Sequence, residues 1–134
     1  MMYAEPPKPR AWKASDRDAV QLCQEWMVYL GAADTVAASG AAKEVCDLYS
    51  TRFVAWVDNR PKNLDVETVL RASGIAYIDG RRALVFHPGG AFPDAQDQAD
   101  ILGVALFRFD ARGGELDGAN EVGRELRATG LANS

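Results

Sequence analysis

Three residues in one short stretch have side-chain types that could do chemistry together. The stretch VCDLYSTRFVAWVDN, residues 45–59, carries Asp47, Trp56 and Asp58. It has the composition of a β-hairpin, and strand side chains alternate between the two faces of a sheet, so we expect all three on one face. Carboxylate oxygens are the ligands that Mg²⁺ prefers. Asp47 and Asp58 are therefore candidate metal ligands, with Glu44 as a third candidate.

A simpler interpretation of the same residues involves no metal. Asp58 would then end a strand in solvent. Trp56 would either pack in the protein or offer an aromatic contact to a partner, because tryptophan is enriched among the residues that dominate protein–protein binding. Arg60 and Lys62, which follow the hairpin, join Trp56 as candidate partner-binding residues.

Few other residues suggest catalysis. His87, the only histidine, follows a predicted strand and is either a base or a strand-end residue bonded to a turn. Gly89 and Gly90 precede a predicted helix, but no Gly-Lys-Ser/Thr follows, which favours a turn over a phosphate loop. Cys23 and Cys46 lack metal-ligand spacing and lie in apolar patterns, which predicts buried free thiols.

The elements that position these residues are predicted from periodicity and end signals. Ser15 is a good N-cap, and apolar residues at helical spacing continue from it to Gly31, which predicts a first helix. AADTVAASG predicts a short strand, and KEVCDLYS and RFVAWVD predict the hairpin strands. With Thr51 and Arg52 as the loop, the opposed pairs include Leu48 with Ala55 and Tyr49 with Val54.

The second half alternates helices and strands. LDVETVLRASGIA, residues 64–76, predicts a helix with Asp65 as its cap and Gly74 near its end, and RRALVFH and VALFRFD predict buried strands. PGGAFPDAQDQADILG predicts a glycine loop and a helix, ARGGELDG a turn, and ANEVGRELRATG a closing helix. Strands joined through helices pair in parallel. The sequence therefore predicts an α/β fold with a mixed central β-sheet flanked by helices. Residues 15–134 would form this fold as a single domain, and residues 1–14 would precede it as an extended, proline-rich and basic arm.

The overall composition is that of an ordinary globular domain. Apolar residues make up 48% of the 134 and charged residues 25%. No apolar run approaches the roughly 20 residues that cross a bilayer, and no segment has the apolar core of an export signal, so we expect a cytoplasmic protein without membrane contact. The net charge of −4, from 15 basic and 19 acidic residues, argues against tight sequence-blind binding to nucleic acid. The scattered basic residues form either a local DNA path or a solvated rim, and include Arg60, Lys62, Arg81 and Arg82.

Several segments, taken in order, resemble the small restriction-endonuclease-like domains of the Mrr type, which belong to the PD-(D/E)xK nuclease superfamily. EWMVYLGA is similar to their first helix and the turn after it, GAAKEVCDLYS to a glycine-rich stretch ending in Ile-Asp-Val, and FVAWVDN to the strand Val-Ala-Gln-Val-Lys. LDVETVLRASGIA is similar to the next helix, and ALVFHPGGAFPDAQDQADILGVALFRFD to the closing strand, loop, helix and strand. The resemblance covers roughly residues 15–127 and implies a restriction-endonuclease-like fold.

The resemblance also implies a chemistry from which this chain departs. In the family two carboxylate or amide oxygens hold a Mg²⁺ ion that activates water, and a lysine two residues after the second ligand offsets developing charge. Asp47 matches the first ligand, but Trp56 stands at the second position and Asp58 at the lysine. Val20 stands near the position where some members carry a helix glutamate. An indole offers no oxygen, and an aspartate in place of the lysine reverses a charge.

We therefore expect a catalytically degenerate nuclease domain that needs no cofactor. It would act by binding another macromolecule, most simply a protein, in a bacterial or phage setting of DNA restriction or host interaction. Two alternatives stay open: a Mg²⁺-dependent endonuclease with a relocated site at Asp47, Asp58 and Glu44, and a DNA-binding module that does not cleave. A homodimer is compatible with the resemblance, because nucleases of this fold often pair.

Overall fold

Six strands join in one sheet in the part of the chain that the computed structural model describes, residues 5–10 and 15–132. The strands lie side by side in chain order, with β1, β2 and β3 antiparallel, β3, β4 and β5 parallel, and β6 antiparallel to β5. The predicted mixed sheet is confirmed. The strands are β1 (Val36–Ala37), β2 (Leu48–Tyr49), β3 (Phe53–Val57), β4 (Arg82–His87), β5 (Ala105–Asp110) and β6 (Glu115–Gly118).

Helices cover both faces of the sheet. In the described residues they are α1 (Asp16–Tyr29), α2 (Val66–Asp79), α3 (Pro93–Leu102) and α4 (Glu121–Thr129), with a short 3-10 helix at Gly40–Glu44. None of these helices is long and apolar enough to cross a membrane. Helices α1 and α4 bury one face and α2 and α3 the other, so the core has two clusters: one includes Trp26, Phe53, Phe107 and Leu126, and the second includes Val54, Val69, Ala99 and Leu106.

The predicted helix starts are confirmed, and one predicted helix end is wrong. The side chain of Ser15 accepts from the N–H of Asp18 at 3.2 Å, and that of Asp65 accepts from Thr68 at 3.0 Å. The predicted segment ends at Ala76, whereas helix α2 continues through Gly74 and Ala76 to Asp79, with Gly80 as its C-cap at a φ of 70°. A glycine within a helix costs only about 1 kcal/mol relative to alanine, which the buried face of α2 on both sides of Gly74 outweighs.

The hairpin register is confirmed, but its first strand is shorter than expected. Leu48 pairs with Ala55 and Tyr49 with Val54. The preceding residues of KEVCDLYS are not a strand, because Gly40–Glu44 forms the 3-10 helix and β2 begins only at Leu48. A second error concerns ARGGELDG, expected as a turn, in which β6 pairs with β5.

The predicted arm, residues 1–14, is described only at residues 5–10, because residues 1–4 and 11–14 lie outside the described part. Residues 5–10 form neither helix nor strand. The backbone N–H of Arg10 donates to the carbonyl of Ala111 at 2.6 Å, and its guanidinium pairs with Glu25 at 2.6 Å. This segment of the arm therefore packs on the α/β domain.

Candidate functional site

A cleft of about 710 Å³ opens at the carboxyl end of β3, beside the first half of α1. It is lined by residues from α1, from the segment after β1, from the 3-10 helix and from the turn after β3. Both aspartates that the sequence singled out lie in it. The charged lining residues balance, with three acids and three bases: Asp16, Asp47 and Asp58, and Arg17, Lys43 and Arg60.

The carboxylate of Asp47 completes the sheet at the start of β2. Its Oδ2 accepts a hydrogen bond from the backbone N–H of Val57 at 2.7 Å. Its Oδ1 accepts from the ammonium group of Lys43, one helical turn earlier. The aspartate thus supplies an acceptor that a regular β-ladder would take from the neighbouring backbone.

An interruption of the strand explains why Asp47 faces the cleft. Cys46 packs in the cluster under α2, whereas Leu48 packs in the cluster under α1. Two residues apart in a regular strand would lie on the same face. The pleat is therefore broken between them, and the N–H of Asp47 donates to the carbonyl of Ala55 at 3.0 Å instead of following the predicted pairing.

Asp58 lies just beyond β3 and is neutralised by Arg60. Its carboxylate oxygens accept from Nε and Nη2 of Arg60 at 2.7 and 2.6 Å, and Oδ1 also accepts from the Arg60 backbone N–H at 3.2 Å. Burial by itself would raise the pKa of Asp58, but the hydrogen bonds and the positive charge of Arg60 hold that pKa below its ordinary value. Asp58 is therefore ionised and paired at neutral pH.

Trp56 is separated from the two aspartates. Its side chain packs against the cluster under α2 and α3, and its Nε1 donates to the carbonyl of Val45 at 2.8 Å. The cleft lining does not include it. The prediction that one face carries Asp47, Trp56 and Asp58 is thus wrong, because the broken pleat turns Asp47 toward α1.

The described residues do not fit a Mg²⁺ site in this cleft. No group of three or more His, Cys, Asp or Glu side chains in the described part of the chain is arranged to hold a metal ion. Glu44 is exposed and does not line the cleft. The carboxylates of Asp47 and Asp58 are each bonded to a cationic side chain and to a backbone N–H of the chain itself. A metal ion would therefore have to displace Lys43 and Arg60 from them.

The turn after β4 has a structural role. His87 is buried, and its Nδ1 accepts from the N–H of Gly89 at 3.0 Å, which places the ring proton of the neutral form on Nε2. That Nε2 has no hydrogen-bond partner among the described residues. The carbonyl of Gly90 accepts from the N–H of Leu64 at 2.9 Å. The two glycines therefore close a turn onto the segment before α2.

The basic residues of the predicted DNA path do not meet. Arg60 and Lys62 follow the carboxyl end of β3, whereas Arg81 and Arg82 lie at the amino end of β4. Because β3 and β4 are parallel, the two pairs of basic residues lie at opposite ends of these strands, roughly 17 Å apart at about 3.3 Å per residue. Arg81 is also held by Asp79. These four residues form no single basic groove.

Sequence reasoning missed Lys43, the cation of Asp47. Lys43 and Glu44 were expected to begin a strand, in which an i, i+4 pair does not form. Opposite charges four residues apart are typical of helical segments, and this spacing could have identified the pair. The cysteines were correctly predicted, because Cys23 and Cys46 are buried free thiols.

Comparisons of the chain with protein-family models, with curated proteins and with solved structures found no match.

Proposed function

We propose that the chain is a catalytically degenerate restriction-endonuclease-like domain of the Mrr type that binds another protein instead of cutting DNA. Its setting would be bacterial or phage DNA restriction or host interaction. The order of elements supports the family assignment. Helix α1, strand β3, helix α2, strand β4, helix α3 and strand β5 have the types and the order that the resemblance implies for residues 15–127.

The observation that carries the proposal is the use of both acidic side chains by the chain itself. Asp47 is bonded to the N–H of Val57 and to Lys43, and Asp58 is bonded twice to the guanidinium of Arg60. A metal-dependent nuclease needs carboxylate oxygens that are preorganised for the ion. Loss of one preorganised electrostatic contributor to catalysis often lowers the rate about 10²- to 10³-fold. Here both carboxylates are bonded to other groups of the chain itself.

The charge of the cleft favours a protein partner over DNA. Binding to a nucleic-acid backbone draws mainly on cationic side chains that neutralise phosphates, and acidic side chains beside them oppose it. The cleft has three acids and three bases, and the chain as a whole has a net charge of −4. Interleaved charges of both signs suit a protein segment of complementary mixed charge. Arg60, which lines the cleft, and Lys62, two residues further along the chain, remain the candidate contacts.

The proposal is tested by capture from bacterial lysate with charge-reversed variants. Arg60→Glu and Lys62→Glu should each lose a partner that the wild-type chain retains. Arg124→Glu is the matched control, because Arg124 is exposed on α4 and does not line the cleft. A partner that binds the variants and the wild type equally, or Mg²⁺-dependent DNA cleavage by the wild-type chain, would contradict the proposal.

One observation favours a second candidate, an endonuclease with a relocated site. Lys43 brings an ammonium group into the cleft that holds Asp47 and Asp58, so two carboxylates and one ammonium group line the same cleft. This candidate predicts plasmid nicking in Mg²⁺ or Mn²⁺ that is lost in both Lys43→Ala and Asp58→Asn. A salt-sensitive gel shift without nicking would instead indicate a DNA-binding module.

A further inference from the structure

The outer surface of α2 carries an exposed apolar stripe centred on Gly74. Leu70 is 48% exposed, and Tyr77 and Ile78 are each 87% exposed. At 3.6 residues per turn these side chains, with Arg71, lie within about 60° of Gly74 around the helix. We propose that the chain forms a homodimer in which α2 packs antiparallel against α2 of a second copy and crosses it at Gly74.

Gly74 has no role within the protomer that explains it. It lies in the interior of α2, is exposed, and a Cβ added to it would meet no described atom within 4 Å. A glycine destabilises the interior of a helix relative to alanine. A missing side chain lets another backbone approach closely, and a second helix that crosses here would use that space.

The side chains on either side of Gly74 suit an antiparallel pairing of α2 with α2 of a second copy. In an antiparallel pair, Leu70 and Arg71 of one copy meet Tyr77 and Ile78 of the second copy. Leu70 then gains an apolar contact, and the guanidinium of Arg71 comes within reach of the Tyr77 ring, an attractive cation–π arrangement. The same contacts form twice because the interface has two-fold symmetry.

The charges along this surface also select the antiparallel arrangement. Glu67 and Arg71 lie on this surface, and Arg81, which is bonded to Asp79 of its own copy, follows just beyond the end of α2. In the antiparallel pair Glu67 lies opposite Arg81 of the second copy. A parallel pair would place Glu67 beside Glu67 and Arg71 beside Arg71, which is repulsive.

Exposed apolar residues next to α2 enlarge the surface. Ile78 shares an apolar groove of about 410 Å³ with Val45, and Tyr77 shares another of about 270 Å³ with Leu102. Contiguous apolar patches of this kind mark interaction sites. One helix pair with these flanks buries less than the roughly 800 Å² per partner of a standard interface, so we expect a dimer of micromolar affinity.

This interface is independent of the proposed function. Helix α2 covers one face of the sheet, and α1, which lines the cleft of Asp47 and Asp58, covers the other. A dimer through α2 leaves that cleft open. Loss of the dimer and loss of the cleft's binding partner are therefore separate results.

Sedimentation equilibrium of the full chain from about 1 to 200 µM tests the dimer. The average mass should rise with concentration from 14.5 kDa toward twice that value. Ile78→Glu should weaken dimerisation at least about 100-fold. Ile101→Glu is the matched control, because Ile101 is 73% exposed on α3, and it should leave the dimer intact. The double variant Glu67→Arg/Arg71→Glu keeps composition and net charge but reverses the charge order, and it should also be monomeric.

A cross-link locates the crossing point. Gly74→Cys should form an intermolecular disulfide under mild oxidation, since two helices that cross at this position bring the Cα atoms close to disulfide range. The two native cysteines are buried and do not compete. Ile101→Cys should cross-link much more slowly. A wild-type chain that stays monomeric throughout, an Ile78→Glu variant that dimerises like the wild type, or equal cross-linking at the two positions would overturn the proposal.

Discussion

Substitution of Asp47 by alanine separates a structural role of this aspartate from a catalytic one. In the structure its carboxylate accepts from the N–H of Val57 at 2.7 Å and pairs with Lys43. Alanine removes the acceptor and leaves the Val57 N–H without a partner inside the protein. If Asp47 holds the sheet together, Asp47→Ala must destabilise the fold.

The magnitude follows from the exposure of the two contacts. The Lys43 side chain is 49% exposed, so its ion pair with Asp47 contributes about 0.5 kcal/mol or less. A hydrogen bond from a backbone N–H to a charged carboxylate contributes about 1.5–3 kcal/mol, and the Asp47 side chain is 21% exposed, which lets water replace part of it. We expect a loss of about 2 kcal/mol, or roughly 6–10 °C in the unfolding midpoint.

Urea and thermal unfolding followed by circular dichroism measure this loss. Asp47→Asn keeps an oxygen that can accept from Val57 and should lose less than about 1 kcal/mol. Lys43→Ala should lose less than about 0.5 kcal/mol. If Asp47 were chiefly a metal ligand, its removal would relieve repulsion with Asp58 instead. An Asp47→Ala protein as stable as the wild type, or more stable, would refute the structural assignment.

Three further predictions test the fold around the cleft. Hydrogen bonds from Thr68, first of all the one from its backbone N–H, hold the pKa of Asp65 below its ordinary value. The stability that this cap contributes is therefore present above about pH 4 and is lost as the pH falls through the lowered pKa. Asp65→Asn should flatten the dependence of the melting temperature on pH between about 5 and 2, and an unchanged slope would contradict this. Gly123→Ala should lower the free energy of unfolding by about 3 kcal/mol or more, because the new Cβ would lie 2.1 Å from a carbonyl oxygen of β5. Gly74→Ala should instead raise the free energy of unfolding of the protomer by about 1 kcal/mol. Chemical unfolding of both variants checks these opposite effects. Burial, and secondarily the charge of Asp47, raises the pKa of Cys23, so in a Cys46→Ser background a thiol reagent should modify it only as fast as the protein unfolds.

The sequence predicted most of the elements because their signals are local. The N-caps Ser15 and Asp65 and the apolar runs of β4 and β5 need no tertiary context to be recognised. Strand β6 escaped prediction because it has four residues, ends in glycine and has a single buried side chain, Leu116. Helix α2 continues beyond Ala76, where the predicted segment ends, because Gly80, whose φ is 70°, and not Gly74, supplies the helix stop.

The candidate site was predictable in position but not in detail. The hairpin register brought Asp47 and Asp58 to the same end of β3, and both do line one cleft. The break in the pleat before Leu48 has no sequence signal as strong as a glycine or a proline, so the separation of Trp56 could not be foreseen. The pairing of Asp47 with Lys43 depended on the short 3-10 helix, which the β-type composition of the segment concealed.

The affinity of the cleft for divalent metal tests the account most directly. Calorimetric titration of the wild-type chain with Mg²⁺ and with Mn²⁺ should give no saturable binding tighter than about 1 mM, because Lys43 and Arg60 occupy the two carboxylates that would bind the ion. Stoichiometric binding that disappears in both Asp47→Asn and Asp58→Asn would contradict the account.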